Sequence, residues 1–117
     1  MCIRDRNGYS LRVPTPDVSI VDLTAVLSKD VTKDDINAAM KKAAAGSLKG
    51  ILEYTEDEIV STDVLHSTAS AVFDAKLTMV MGEKSNFIKI FAWYDNEWGF
   101  SNRMVDFIEM VGKKAGF

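Results

Sequence analysis

Apolar and polar residues alternate over residues 18–27, where Val21, Leu23, Ala25 and Leu27 interleave with Ile20, Asp22, Thr24 and Val26. A two-residue period is that of a β-strand, and because both sets carry apolar groups, both faces of this strand need cover. Residues 11–13 just ahead read as a short strand, ended by Pro14 and Pro16, which fix the backbone and remove two donors. The pattern then changes to a helical period in VTKDDINAAMKKAAAG. Thr32 stands as N-cap with Asp35 three residues on as a short capping box, Ile36, Ala39, Met40 and Ala43 form one stripe, and Gly46 supplies the stop.

GILEYTED and EIVSTDV read as two short strands about a polar turn at Glu56 and Asp57. SAVFDAKLTMVM reads as one strand over residues 70–81, with Phe73, Ala75, Leu77, Met79 and Met81 opposite Val72, Asp74, Lys76, Thr78 and Val80. A turn at GEKS leads into its antiparallel partner, NFIKIFAWY, which has Phe87, Phe91 and Trp93 on one face and Ile88, Ile90, Ala92 and Tyr94 on the other. The junction WYDNEWGFSNR follows, dense in aromatics and polar groups, and the chain ends in a helix. In that helix Met104, Phe107, Ile108 and Val111 form the expected buried stripe, Arg103, Asp106 and Glu109 face elsewhere, and Gly112 and Gly116 weaken the end.

These patterns amount to about six strands and two helices, enough for helices to cover one face of a sheet. Strands that are apolar on both faces need something on the second face, either further chain or a partner subunit, so a concentration-dependent oligomer is expected. Composition narrows this picture. At 117 residues, 47% hydrophobic and 26% charged, the chain fits one globular domain with a modest core. A net charge of −3 without a dense Lys/Arg run argues against a nucleic-acid partner, and the absence of a long apolar run argues against a membrane span. A cytoplasmic location is expected. Cys2 is the single cysteine and His66 the single histidine, so neither a disulfide framework nor a cysteine metal site can be built within one chain.

Two stretches could carry chemistry. Arg12 precedes Val-Pro-Thr-Pro, and a planar five-donor fork on a stiff segment suits a phosphate or carboxylate; an ion pair with Asp17 or Asp22 is the commoner role for such an arginine. Asn96 offers donors and an acceptor, as reading a carboxamide would require, while an Asn ahead of a helix is more often a cap. Asp95 and Glu97 invite an acid/base pairing, but a shared-proton dyad is not expected of them. His66 beside Ser67 lacks an orienting acid and reads as a turn histidine. Neither GxGxxG nor GxxxxGK occurs.

LRVPTPDVSIVDL, KGILEYTEDEIVSTD, VFDA and WYDNEWGFSNRMVD occur in the order and at the spacings of the C-terminal catalytic half of glyceraldehyde-3-phosphate dehydrogenases, which the chain resembles from residue 8 to 117. Residues 1–7 have no counterpart and read as a leader, one of foreign origin. The resemblance implies an α+β fold: a mixed, largely antiparallel sheet with helices on one face, incomplete here, whose other face serves between subunits of an oligomer, a tetramer in the full-length parent. It implies an NAD- or NADP-dependent oxidation of a sugar-phosphate aldehyde through a thiohemiacetal and a thioester that inorganic phosphate cleaves. In that family the nucleophilic cysteine, its histidine and the dinucleotide-binding domain lie upstream of the RVPTP block, so no catalytic nucleophile or base is assigned here, Cys2 and His66 included, and the chain alone is expected to be inactive.

Residue by residue, the resemblance implies that Arg12 binds the substrate phosphate and that Asn96 hydrogen-bonds the nicotinamide carboxamide. Tyr94 lines the active site, and Phe100 stands there where many members have a tyrosine. LHSTASAVFD departs from the HSS that members often show before the matching Phe-Asp. Erythrose-4-phosphate dehydrogenase shares these blocks and is an alternative, as is a non-catalytic oligomerisation module.

Overall fold

The computed structural model describes residues 7–116. Cys2 and nearly all of the expected leader lie outside the described residues. Eight elements follow in order: β1 (Ser19–Val31), α1 (Lys33–Ala45), β2 (Leu52–Thr55), a short 3-10 helix (Ser61–Val64), β3 (Ala71–Asp74), β4 (Met79–Val80), β5 (Ser85–Tyr94) and α2 (Asn96–Ala115). The strands form one sheet in the order β1-β5-β3-β2, with β4 also beside β5. Every pairing is antiparallel except that of β2 with β3. The sheet is thus mixed and largely antiparallel and the fold class α+β.

β5 is the long central strand because its alternating apolar residues serve both faces. On one face Ile88 is buried and packs with Val31, Ile36, Leu52, Phe73 and Ala75, while Ala25, Leu27 and Ile90 extend that core. Helix α1 covers this face. Its start is as local sequence dictates: Thr32 Oγ1 accepts from Asp35 N at 3.1 Å and Asp35 Oδ2 accepts from Thr32 N at 2.9 Å. Ile36, Met40, Ala43 and Ala44 face the sheet, whereas Ala39, expected in the stripe, is exposed. The opposite face pairs Ile20 with Trp93, Asp22 with Phe91 and Val26 with Phe87; it is closed at β3, where Val72 and Asp74 are buried, and stays open along β1 and β4. Ile20, Val26, Met79 and Phe87 are all exposed, with a Lys89–Asp22 ion pair of 2.9 Å among them.

Four expected features differ. Residues 11–13 form no strand: Thr15 N donates to Val13 O at 2.8 Å, and Leu11 and Val13 are exposed. EIVSTDV is not a strand either. Because β2 and β3 run parallel, residues 56–70 must carry the chain back along the sheet, and Asp63 closes a tight turn there, accepting from Val60 N at 2.8 Å. The expected strand over residues 70–81 is broken into β3 and β4. Buried Asp74 accepts from Lys76 N and Leu77 N through Oδ1, an Asx turn that bulges the chain before it rejoins β5 in a shifted register. Its other oxygen takes the Trp93 indole N–H at 3.2 Å.

The last helix begins at Asn96, well before the expected stripe, and ends at Gly116 in a left-handed C-cap. Met104, Phe107, Ile108 and Val111, expected to be buried, are exposed, and Arg103, expected to face away, is the residue that reaches the rest of the fold. No described element covers the stripe.

Candidate functional site

The register of the sheet decides which residues share an end. Ser19 pairs with Tyr94, Val72 with Trp93 and Leu52 with Ala71, so four segments meet at one end of the sheet. They are the stretch before β1 that carries Arg12, the turn ahead of β2 at Gly50, residues 65–70 ahead of β3, and the start of α2 with Asn96. The segment that carries Arg12 thus enters the sheet at the end where Asn96 leaves it, and the two side chains form no hydrogen bond with each other. Arg12 is exposed. Neither acid considered for it is its partner: Asp17 Oδ1 accepts from Val18 N at 2.7 Å, and Asp22 pairs with Lys89. Val18, at φ 71, turns the Arg12 segment into β1 through a left-handed conformation that a β-branched residue rarely adopts.

The cap of α2 is Asp95, not Asn96. Asp95 is 1% exposed, and its Oδ1 accepts from Trp98 N at 2.8 Å. Its Oδ2 accepts from His66 N at 2.9 Å. Burial alone would raise the carboxyl pKa, but the N–H groups of Trp98, His66 and Glu97 outweigh it and hold the group below its ordinary value. A carboxylate so engaged is no proton acceptor at neutral pH, which removes the Asp95–Glu97 acid/base pairing; Glu97 is exposed. Relieved of the capping role, Asn96 occupies the first helical position with an exposed side chain. Phe100 lies four residues on, hence on the same face of the helix, and is 65% exposed. Tyr94 is half-buried at the end of β5.

The aromatics of the junction do not stack on one another. Trp93 is spent on Asp74, and Trp98 is half exposed with its ring 5.0 Å from that of His66. What is tightly packed is Gly99, where an added Cβ would lie 2.7 Å from Ala69 O. His66 sits in a turn, as expected, at φ 60, and Ser67 Oγ accepts from Ala69 N, so no nucleophile pair forms. Arg103 completes the attachment of α2, donating to Gly50 O at 3.0 Å and to Thr68 O at 3.3 Å. Sequence reasoning missed Asp95 as cap and Gly99 and Arg103 as anchors; an Asp directly after a strand and three residues before Trp98 was the available signal.

The family model described as glyceraldehyde 3-phosphate dehydrogenase, C-terminal domain, matches residues 4–96. The chain belongs to this family. It is 55% identical over 106 residues to a cytosolic glyceraldehyde-3-phosphate dehydrogenase of Chondrus crispus, covering 91% of this chain and 31% of that relative. Likewise it is 55% identical over 109 residues to a glyceraldehyde-3-phosphate dehydrogenase of Omphalotus olearius, covering 93% and 32%. The chain thus spans about a third of the length of the curated relatives it matches. The residues matched to the C-terminal domain contain the whole mixed sheet and α1, and the match ends where α2 begins. No helix among the described residues is long and apolar enough to cross a membrane.

An open groove at the far end of the sheet, lined by Lys33, Asn37, Lys41, Tyr54, Glu56 and Lys76, lies away from Arg12 and Asn96. Two of its charges are paired with each other: Glu56 Oε1 accepts from Lys41 at 2.9 Å, and also from Tyr54 OH at 3.0 Å.

Proposed function

We propose that residues 8–117 are part of the catalytic domain of a phosphorylating glyceraldehyde-3-phosphate dehydrogenase of the cytoplasm, which converts an aldehyde, NAD or NADP and inorganic phosphate to an acyl phosphate and the reduced cofactor. Arg12 binds the phosphate of the sugar substrate. Asn96 holds the nicotinamide carboxamide, and Tyr94 and Phe100 line the site. The observation that carries this reading is the register of β1 with β5, which brings the segment of Arg12 and the first turn of α2 to one end of the sheet. The donor set also fits the cofactor: with capping done by Asp95, the primary amide of Asn96 is exposed and can both donate to and accept from a carboxamide. When bound, the cofactor supplies a hydride acceptor; this chain supplies recognition at the phosphate and at the carboxamide.

The open face of the sheet supports the homo-oligomer: Ile20, Val26, Met79 and Phe87 leave an apolar surface that a second copy would bury, with Lys89 and Asp22 as its polar centre. The nucleophile, the base and the dinucleotide-binding domain come from other parts of the enzyme. Purified, the 117-residue chain therefore gives no phosphate-dependent reduction of NAD with glyceraldehyde 3-phosphate, and turnover above a protein-free blank would overturn the reading. In the full-length enzyme, comparing kcat/KM for glyceraldehyde 3-phosphate and erythrose 4-phosphate separates the triose from the tetrose enzyme.

A further inference from the structure

We propose that Asp95 is a positioning residue for Asn96: it locks the first turn of α2 to residues 65–70, and that lock sets the direction in which the Asn96 amide points. The inference rests on the reading of Asn96 as the carboxamide ligand. Its basis is the spacing of the contacts. Asp95, Gly99 and Arg103 are four residues apart, a single stripe of a helix, and all three engage the same neighbouring segments. Asp95 accepts from His66 N, Gly99 leaves no room for a Cβ against Ala69 O, and Arg103 donates to Thr68 O and Gly50 O. Asn96 and Phe100 follow this stripe by one residue, about 100° further round the helix. A helix held along the first stripe cannot rotate about its axis, so the second is fixed in direction.

Within the stripe Asp95 is the residue that acts on Asn96 most directly. One of its oxygens holds the helix start through Trp98 N and the other holds the loop through His66 N, with the carboxylate itself buried. The loop conformation needs that bond, because His66 has φ 60, a left-handed backbone that a side chain disfavours. Two acceptors are required, and an asparagine has one. Asp95→Asn therefore keeps a good N-cap on Trp98 N but turns an amide N–H toward the N–H of His66, freeing the loop while sparing the helix.

The test measures binding of NAD and of ADP-ribose, which lacks the nicotinamide, to the full-length enzyme by calorimetric titration. Asp95→Asn is expected to weaken NAD about tenfold, the scale of one well-oriented hydrogen bond, and to leave ADP-ribose unchanged. Asn96→Ala should show the same selective loss, and the double variant should be no worse than Asn96→Ala. If Asn96→Ala leaves the ratio of the two affinities unchanged, the carboxamide reading itself fails and the positioning role with it. If Asn96→Ala lowers the ratio and Asp95→Asn does not, the positioning role alone is overturned. Should Asp95→Asn fail to fold, Gly99→Ala, which pushes the same stripe off Ala69, replaces it: selective loss of NAD supports the proposal, and equal weakening of both ligands overturns it.

Discussion

Asp95 and Asn96 stand side by side, and the fold gives them opposite fates: one carboxylate buried beneath backbone N–H groups, one amide left in solvent. Because native hydrogen bonding holds the Asp95 pKa below its unfolded value, its contribution to stability is fully present above the unfolded pKa, near about 4, and is lost as pH falls through the folded value. Acid unfolding followed by circular dichroism should accordingly be less steep below about pH 4 in Asp95→Asn than in the wild type; superimposable acid limbs would contradict this account of the cap. Gly99 gives a second prediction. Helix propensity alone favours Gly99→Ala by about 1 kcal/mol, but the Cβ would meet a backbone carbonyl oxygen at 2.7 Å, a contact no rotamer relieves. The substitution should destabilise by about 1–3 kcal/mol in urea unfolding, the scale of overpacking, and a stabilised variant would show that α2 is not seated on Ala69. That residues 95–103 form a polar and aromatic junction between a strand and a helix was legible in their composition. Which of Asp95 and Asn96 capped the helix was not, because the choice depends on where the helix begins and hence on docking to a loop distant in sequence.

At the scale of elements, the parts that read correctly are those whose causes are local. The capping box at Thr32 and Asp35 fixes the start of α1, and the alternation of β5 fixes the central strand. Misread parts have distant causes. EIVSTDV has strand-forming residues, but a parallel neighbour makes it part of a crossover. SAVFDAKLTMVM alternates throughout, yet Asp74 turns the chain because Trp93, across the sheet, and two backbone donors claim its oxygens. Helix α2 is a different case: its stripe is apolar, as read, but no described element covers it. Along the open face of the sheet, Val26, 71% exposed, lies beside Phe87. Val26→Asp should abolish self-association while changing the melting temperature of the dissociated chain little, since an exposed strand residue contributes within about 0.5 kcal/mol. Sedimentation equilibrium across low micromolar concentrations checks it: a wild-type chain that stays monomeric over that range, or a variant that associates equally, removes the subunit role from this face.

For the molecule as a whole, the residues implied by the family resemblance do not form a closed pocket among the described residues; the segments that carry them meet at one end of a sheet of which β1 and β5 were legible and the rest only in part. Local sequence could not bring the segments of Arg12 and Asn96 to that end, because it takes the antiparallel register of β1 with β5 to do so. The chain spans about a third of its relatives, and on the proposed reading the remainder of the enzyme completes the active site at this end. The central claim is that this end recognises a phosphorylated aldehyde through Arg12. It is tested most directly by the KM of the full-length enzyme for glyceraldehyde 3-phosphate after Arg12→Leu, with the melting temperature measured alongside. Loss of a charge-assisted phosphate contact predicts a rise of about 10- to 100-fold in KM, with an unchanged melting temperature, since Arg12 is exposed. An unchanged KM with a lowered melting temperature would make Arg12 a structural residue and contradict the account.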